Sequence, residues 1–147
     1  MRFRRRSRRA FREIVFCGFG ESTLRLELLL ELAREFRARG LRIRLDTDGL
    51  AGLVHGRDVV PELAESIDEI SVSLNAPDAA THVRLCPSRH GERAWPAVVE
   101  FLRAARDRIG VVTATVVAVP GLDVEACRRI AEELGVGFRV RPYNVVG

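Results

Sequence analysis

Lysine is absent: all 24 basic residues of this 147-residue chain are arginine. Acids are absent from the first twelve residues, which hold seven of those arginines. From Glu13 onward 17 Arg face 20 acids, a net charge of −3, so the sequence pI of about 9.7 comes from the N-terminal tail. A mildly acidic body removes the main argument for a nucleic-acid-binding domain, which needs basic charge on its folded surface. Long apolar runs are missing too. The longest uncharged apolar stretch, residues 109–122, contains Gly110, two Thr and Pro120, and is too short to span a bilayer as a helix. Cysteine is scarce: Cys17, Cys86 and Cys127 are too few and too unevenly spaced for a secreted disulfide framework, which points to a reducing, cytoplasmic setting.

At 16.4 kDa, 47% hydrophobic and 30% charged, the chain has room for one domain with an ordinary core. The arginine-rich tail, residues 1–12, reads as a disordered or mis-started leader in front of a domain over 13–147. Ser7-Arg8-Arg9-Ala10-Phe11 looks like a twin-arginine export signal, but Glu13, Glu21 and Arg25 interrupt the apolar region such a signal needs, so export is not expected. An arm that touches nucleic-acid phosphates is the alternative.

From Glu13 strand and helix signals alternate with little filler. Strands are expected over 14–17, 41–47, 70–74, 111–119 and 138–141. Between them, helices are expected over 24–39 (capped by Ser22 or Thr23, stopped by Gly40), 58–67, 79–85, about 95–108, and from Asp123 to the stop at Gly135. Cys17 reads as strand core, Cys127 as helix core and Trp95 as core. The fold class is therefore α/β, with a parallel sheet of about five strands joined by helical crossovers. A doubly wound slab and an arc of a barrel both fit, and both place chemistry at the carboxyl ends of the strands.

Those ends are polar: Gly18-Phe19-Gly20-Glu21, Asp46-Thr47-Asp48-Gly49, Ser71-Val72-Ser73-Leu74-Asn75 and Arg141-Pro142-Tyr143-Asn144. One reading is a dinucleotide site, with Gly18 and Gly20 in a strand-to-helix turn and Asp46 near the end of the next strand. Thr23 stands where that motif has its third glycine, and Glu21 carries negative charge towards the phosphates.

A second reading uses the whole pattern. Gly18-Phe19-Gly20-Glu21-Ser22 resembles the Gly-Gly-Glu-Pro motif of radical S-adenosylmethionine (SAM) enzymes, and Leu45-Asp46-Thr47-Asp48-Gly49 resembles the Thr-Asn-Gly turn that ends their next strand. Ser71-Val72-Ser73-Leu74-Asn75-Ala76, with Arg84-Leu85-Cys86 downstream, resembles their ribose strand. More narrowly, Phe16 to Glu21, Thr47-Asp48-Gly49-Leu50-Ala51, Val54-His55-Gly56-Arg57-Asp58 and Arg139-Val140-Arg141-Pro142-Tyr143-Asn144 resemble the TatD-associated radical SAM family. The chain is similar to strands two to six of a six-stranded partial barrel.

The resemblance implies S-adenosylmethionine as cofactor. It places Gly18, Phe19, Gly20 and Glu21 at the methionyl ammonium, Ser73 and Asn75 at the ribose, and Arg84 at the methionyl carboxylate. Asp46, Thr47, Asp48 and Ser71 would be further ribose or substrate contacts, and Arg141, Tyr143 and Asn144 would meet adenine or substrate. In the intact family a 4Fe-4S cluster reduces the cofactor to a 5′-deoxyadenosyl radical that abstracts hydrogen. The cluster loop, Cys-x3-Cys-x2-Cys, has no counterpart in the spacing of Cys17, Cys86 and Cys127. The expectations are accordingly no metal ligands in this chain, doubtful catalysis by it alone, and a missing strand and cluster loop encoded upstream of Met1. The family name further implies a link with a TatD-type metal-dependent hydrolase. His55 and His90 are lone loop histidines.

Overall fold

The computed structural model describes residues 11–144. The leader expected over residues 1–12 therefore lies outside the described residues, apart from Phe11 and Arg12. Five strands, β1 (Glu13–Phe16), β2 (Arg42–Thr47), β3 (Glu69–Ser73), β4 (Val111–Val117) and β5 (Gly137–Arg141), form one parallel sheet in the order β1-β2-β3-β4-β5. The helices are α1 (Leu26–Ala38), α2 (Ala51–His55), α3 (Val60–Ala64), α4 (Ala79–Leu85), α5 (Ala94–Arg106) and α6 (Val124–Leu134). Short 3-10 turns at Ser22–Arg25 and Gly91–Arg93 lead into α1 and α5.

The unbroken strand order decides between slab and arc. Parallel crossovers are right-handed, so adding each strand on the same side of the last puts every helix on one face. A doubly wound slab needs a reversal of order, and this sheet has none. The sheet is an arc of a (β/α) barrel. Side-chain burial agrees. Ile43, Leu45, Ile70, Val72, Ala114 and Val116 share one core with Leu30 and Ala33 of α1, Val98 and Leu102 of α5, and Cys127 and Ala131 of α6. Each fully buried Val, Leu or Ile contributes about 1.5–3 kcal/mol, so this single layer dominates stability. The alternate residues of the same strands face the other way and are mostly polar or charged.

On that helix-free face Arg42 bridges two strands, with Nη2 2.8 Å from Glu69 Oε2 and Nε 3.8 Å from Glu13 Oε2. Arg44 lies 3.5 Å from Glu13 Oε1 and 3.7 Å from Asp46 Oδ1. The ladder runs across β1, β2 and β3 near their N-terminal halves.

Several boundaries differ from expectation for identifiable reasons. The first strand is half-buried rather than buried, because β1 is an edge with a neighbour on one side only. Cys17, expected in its core, is exposed just past its end. The first helix starts at Leu26 with no side-chain cap; the 3-10 turn Ser22–Arg25 that leads into it is capped by the Glu21 side chain and not by Ser22 or Thr23. The helix expected over 58–67 is preceded by an unexpected one, α2, which Gly56 ends in the left-handed region (φ 68°), and α3 itself is short. Trp95 is half-buried, and its indole N–H donates to the Ala76 carbonyl at 2.8 Å.

Gly49 closes β2 with φ +77°, and a Cβ placed there would lie 2.9 Å from Val72 Cγ1. Gly49→Ala combines a left-handed alanine with a clash in the core. We expect a loss of about 2–3 kcal/mol from the urea unfolding free energy. A variant as stable as the parent would show that the β2 turn has room to shift.

Candidate functional site

The turn after β1 is built on two glycines. Gly18 takes φ +139°, a conformation other residues rarely adopt, and no atom lies within 4 Å of an added Cβ at Gly18 or Gly20. Backbone is thus open to close approach from outside. Phe19 projects fully into solvent between them. Glu21 follows, and its carboxylate is engaged on both oxygens. Oε1 accepts from the Thr23 amide at 3.3 Å and from the Thr23 and Thr47 hydroxyls, each at 2.6 Å; Oε2 accepts from the Asp48 amide at 2.8 Å. One carboxylate therefore caps the turn into α1 and clamps the end of β1 to the end of β2. His55 on α2 adds a second tie: its Nε2 donates to the Thr23 carbonyl at 2.7 Å, since a carbonyl only accepts.

Asp48 sits beside this clamp. Its Oδ1 accepts from the Leu50 amide at 2.9 Å, closing the turn at Gly49. Burial and the neighbouring Glu21 charge push its carboxyl pKa up. Thr47, which donates to Glu21, is itself buried.

Strand register arranges the remaining sequence-derived residues in rows on the helix-free face. Asp46, Ser71, Thr113 and Gly137 form one row. Ser73, Thr115 and Arg139 form the next, and Val117 with Arg141 the row above. Asp46 Oδ1 and Arg44 Nε are buried without hydrogen-bond partners, although they lie 3.7 Å apart.

β3 ends at Ser73, and two residues further on Asn75 is held at φ +59°. Its backbone amide donates to the Thr115 carbonyl at 3.3 Å and its Nδ2 meets Cys86 Sγ at 3.5 Å. Its Oδ1 is buried with no partner. Asn75, Leu85, Cys86, Val117 and Val119 line a cavity of about 210 Å³ at the carboxyl ends of β3 and β4. The slot thus has apolar walls and one unpaired acceptor. Of the expected ribose and adenine contacts Asn75 lines this slot, Ser73 lies two residues before it at the end of β3, and Arg141 stands beside the lining Val117 in register. Arg84 lies exposed on α4, and Tyr143 and Asn144 are exposed beyond β5.

Val117 and Val119 escaped sequence reasoning as lining residues because a β-branched run reads only as strand. His82 escaped it too. It is buried on α4, its Nδ1 is unpaired, and burial pushes its imidazole pKa down.

The three cysteines were tested as cluster ligands by their surroundings. Cys17 is exposed beyond β1, Cys86 faces Asn75, and Cys127 is fully buried on α6 behind the sheet. Burial, reinforced by Asp123 and Asp78, pushes the Cys127 thiol up to about 11, away from the thiolate a metal needs. Among the described residues no three His, Cys, Asp or Glu side chains converge as a metal site. These residues do not fit a 4Fe-4S cluster.

The raised Asp48 pKa has a checkable sign. The folded state holds that proton more tightly than the unfolded chain, so ionised Asp48 weakens folding at neutral pH, and the penalty fades as pH falls through its folded pKa. Asp48→Asn keeps the acceptor for Leu50 and removes the charge. We expect a higher urea midpoint than the parent at pH 7 and a shrinking advantage towards pH 4. A parent as stable as the variant at pH 7 would show that the carboxylate is not penalised.

The dinucleotide reading requires the glycine turn to sit at a reversal of strand order, whereas β1 is the sheet's edge. Comparison with protein families agrees with the barrel instead: the model of the radical SAM superfamily matches residues 2–134. With the parallel five-stranded arc and its polar strand ends, that match over most of the sequence establishes the kinship: the chain belongs to the radical SAM superfamily.

Proposed function

We propose that this chain binds S-adenosylmethionine across the carboxyl ends of β1 to β4. The single observation that carries the reading is the buried, unpaired Oδ1 of Asn75. Buried acceptors are normally satisfied, and this one belongs to a non-glycine residue in a sparsely populated backbone conformation at the mouth of an apolar slot. A ribose hydroxyl completes it, with Ser73 two residues before it on the same strand. The nucleoside base then lies along Val117 and Val119 in the slot, with Tyr143 and Asn144 at its rim.

Because both oxygens of Glu21 already accept internal hydrogen bonds, the methionyl ammonium is received mainly by backbone carbonyls of residues 18–21, which the two glycines leave uncovered. Glu21 holds that backbone in place, and Thr47 and Asp48 hold Glu21. Asp46 and Ser71 face the space below, where a substrate reaches the site, and Arg84 is placed to meet the methionyl carboxylate. In the superfamily the bound cofactor supplies hydrogen-abstraction chemistry. The finer kinship we favour is with TatD-associated members, on the strength of the runs around His55 and Arg141, and with it a functional link to a TatD-type hydrolase. No described helix is long and apolar enough to cross a membrane, and three free cysteines suit a reducing cytoplasm.

Calorimetric titration of the full chain tests the reading. S-adenosylmethionine should bind saturably and NAD(P) should not, and Asn75→Ala should weaken cofactor binding about tenfold, the effect of one hydrogen bond to a buried acceptor. Saturable NAD(P) binding without S-adenosylmethionine binding would overturn it.

Anaerobic reconstitution with iron and sulfide tests the cysteine chemistry separately. With Cys127 locked in the core, the chain alone should retain far less than four iron atoms per molecule, and Cys127→Ala should retain no less than the parent. Stoichiometric iron with the brown cluster absorbance, lost on Cys127 replacement, would refute this.

A further inference from the structure

The charged residues of the helix-free face are not evenly matched. On β1, β2 and β3 every charged side chain is within 4 Å of an opposite charge: Glu13 with Arg42 and Arg44, Glu69 with Arg42, Asp46 with Arg44. On β4 and β5 the charge is of one sign. Arg139 and Arg141 occupy the same face of β5, and the neighbouring strand opposes them with Thr115 and Val117. Among the described residues neither arginine has a carboxylate within ion-pair distance, whereas eight of the fifteen other arginines from Glu13 onward do, both arginines of β2 among them.

Arg139 extends a row of hydroxyl residues, of which Thr115 is buried and donates to the Val72 carbonyl at 3.4 Å. Ser73, Thr115 and Arg139 lie side by side in register, and Arg141 stands one row above, next to the cavity-lining Val117. Below Arg139 on the same strand is Gly137, which adds no side chain of its own to that row and leaves the Thr113 hydroxyl as the neighbouring group. Planar five-donor groups set beside hydroxyls, with no internal acceptor, match the oxygens of a carboxylate or phosphate.

We infer that the β4–β5 side of the helix-free face is a subsite for an anionic group of the substrate, carboxylate or phosphate, held by Arg139 and Arg141 next to the adenosyl slot. The assignment to substrate rests on the proposal that S-adenosylmethionine occupies that slot; the anion subsite itself rests on the two arginines alone. The registered rows leave the anion on the open side of the sheet, reached without disturbing the core behind Ala114 and Val116.

The test follows the arginine side-chain Nε–Hε signals of the full chain by NMR while inorganic phosphate or malonate is added at constant ionic strength, with and without S-adenosylmethionine. The signals of Arg139 and Arg141 should shift saturably with at least one of the two anions and should do so with cofactor present. Arg139→Gln with Arg141→Gln should weaken that binding at least tenfold; both side chains are exposed, so the variant should keep the parent's urea midpoint. Which anion saturates distinguishes a phosphorylated substrate from a carboxylic one. Linear shifts no larger than those of the exposed Arg129 would overturn the subsite and leave the two arginines as solubilising charges on an edge strand. Shifts abolished by S-adenosylmethionine would assign the arginines to the methionyl carboxylate, which also overturns the proposal. Saturable anion binding without any cofactor binding would support the subsite and sink the cofactor reading instead.

Discussion

Everything in this fold follows from adding each parallel strand on the same side of the one before. Right-handed crossovers then have only one face on which to lie, and the core becomes a single layer between that face and α1, α5 and α6. Freed from helices, the second face of the sheet has no apolar partner to meet. Its residues could become polar without loss to the core, and they carry ion pairs at one end and hydroxyls and arginines at the other. The division leaves the polar strand ends free for the proposed site, because the layer that stabilises the sheet does not compete for the residues on the other face.

Glu21 shows how the strand ends are kept in order. Its position in a family motif suggests a ligand contact, yet the carboxylate accepts from Thr23, Thr47 and Asp48 before any ligand arrives. A loop rich in glycine has large conformational freedom, and a half-buried carboxylate that accepts several hydrogen bonds is an efficient way to remove it. In the proposed cofactor site the acid would act through the shape of the backbone it fixes. The neighbouring Asp48 carries the electrostatic consequence of having a second carboxylate close by.

Much of the fold was legible in the sequence because its signals were local. Asp123 caps α6 by accepting from Ala126, as a short polar side chain before an apolar helix does. Strand count, parallel pairing and the position of the polar ends followed from alternation of strand and helix patterns. What escaped was non-local. Nothing in Glu13–Phe16 says that it lies at an edge, so the exposure of Cys17 could not be read from its apolar neighbours. The choice between slab and arc depends on strand order, which periodicity does not encode. Asn75 was legible as a polar strand end, but its empty acceptor and the slot around it exist only once Cys86, Val117 and Val119 are brought beside it.

The Glu13–Arg42–Glu69 ladder also governs how the sheet is aligned. In a parallel sheet a slip of one residue turns every side chain of a strand to the opposite face. For inner strands such a slip would push Arg44 or Ser71 into the helical layer, and the apolar packing forbids it. The outermost strand is four residues long and only half-buried, so apolar packing holds it less firmly. There the shared arginine supplies the missing information: only one alignment leaves Glu13 level with Arg42 while Arg42 also reaches Glu69. The edge is thus indexed by charge as well as by shape, and rising ionic strength weakens that charged part of the index along the β1–β2–β3 seam.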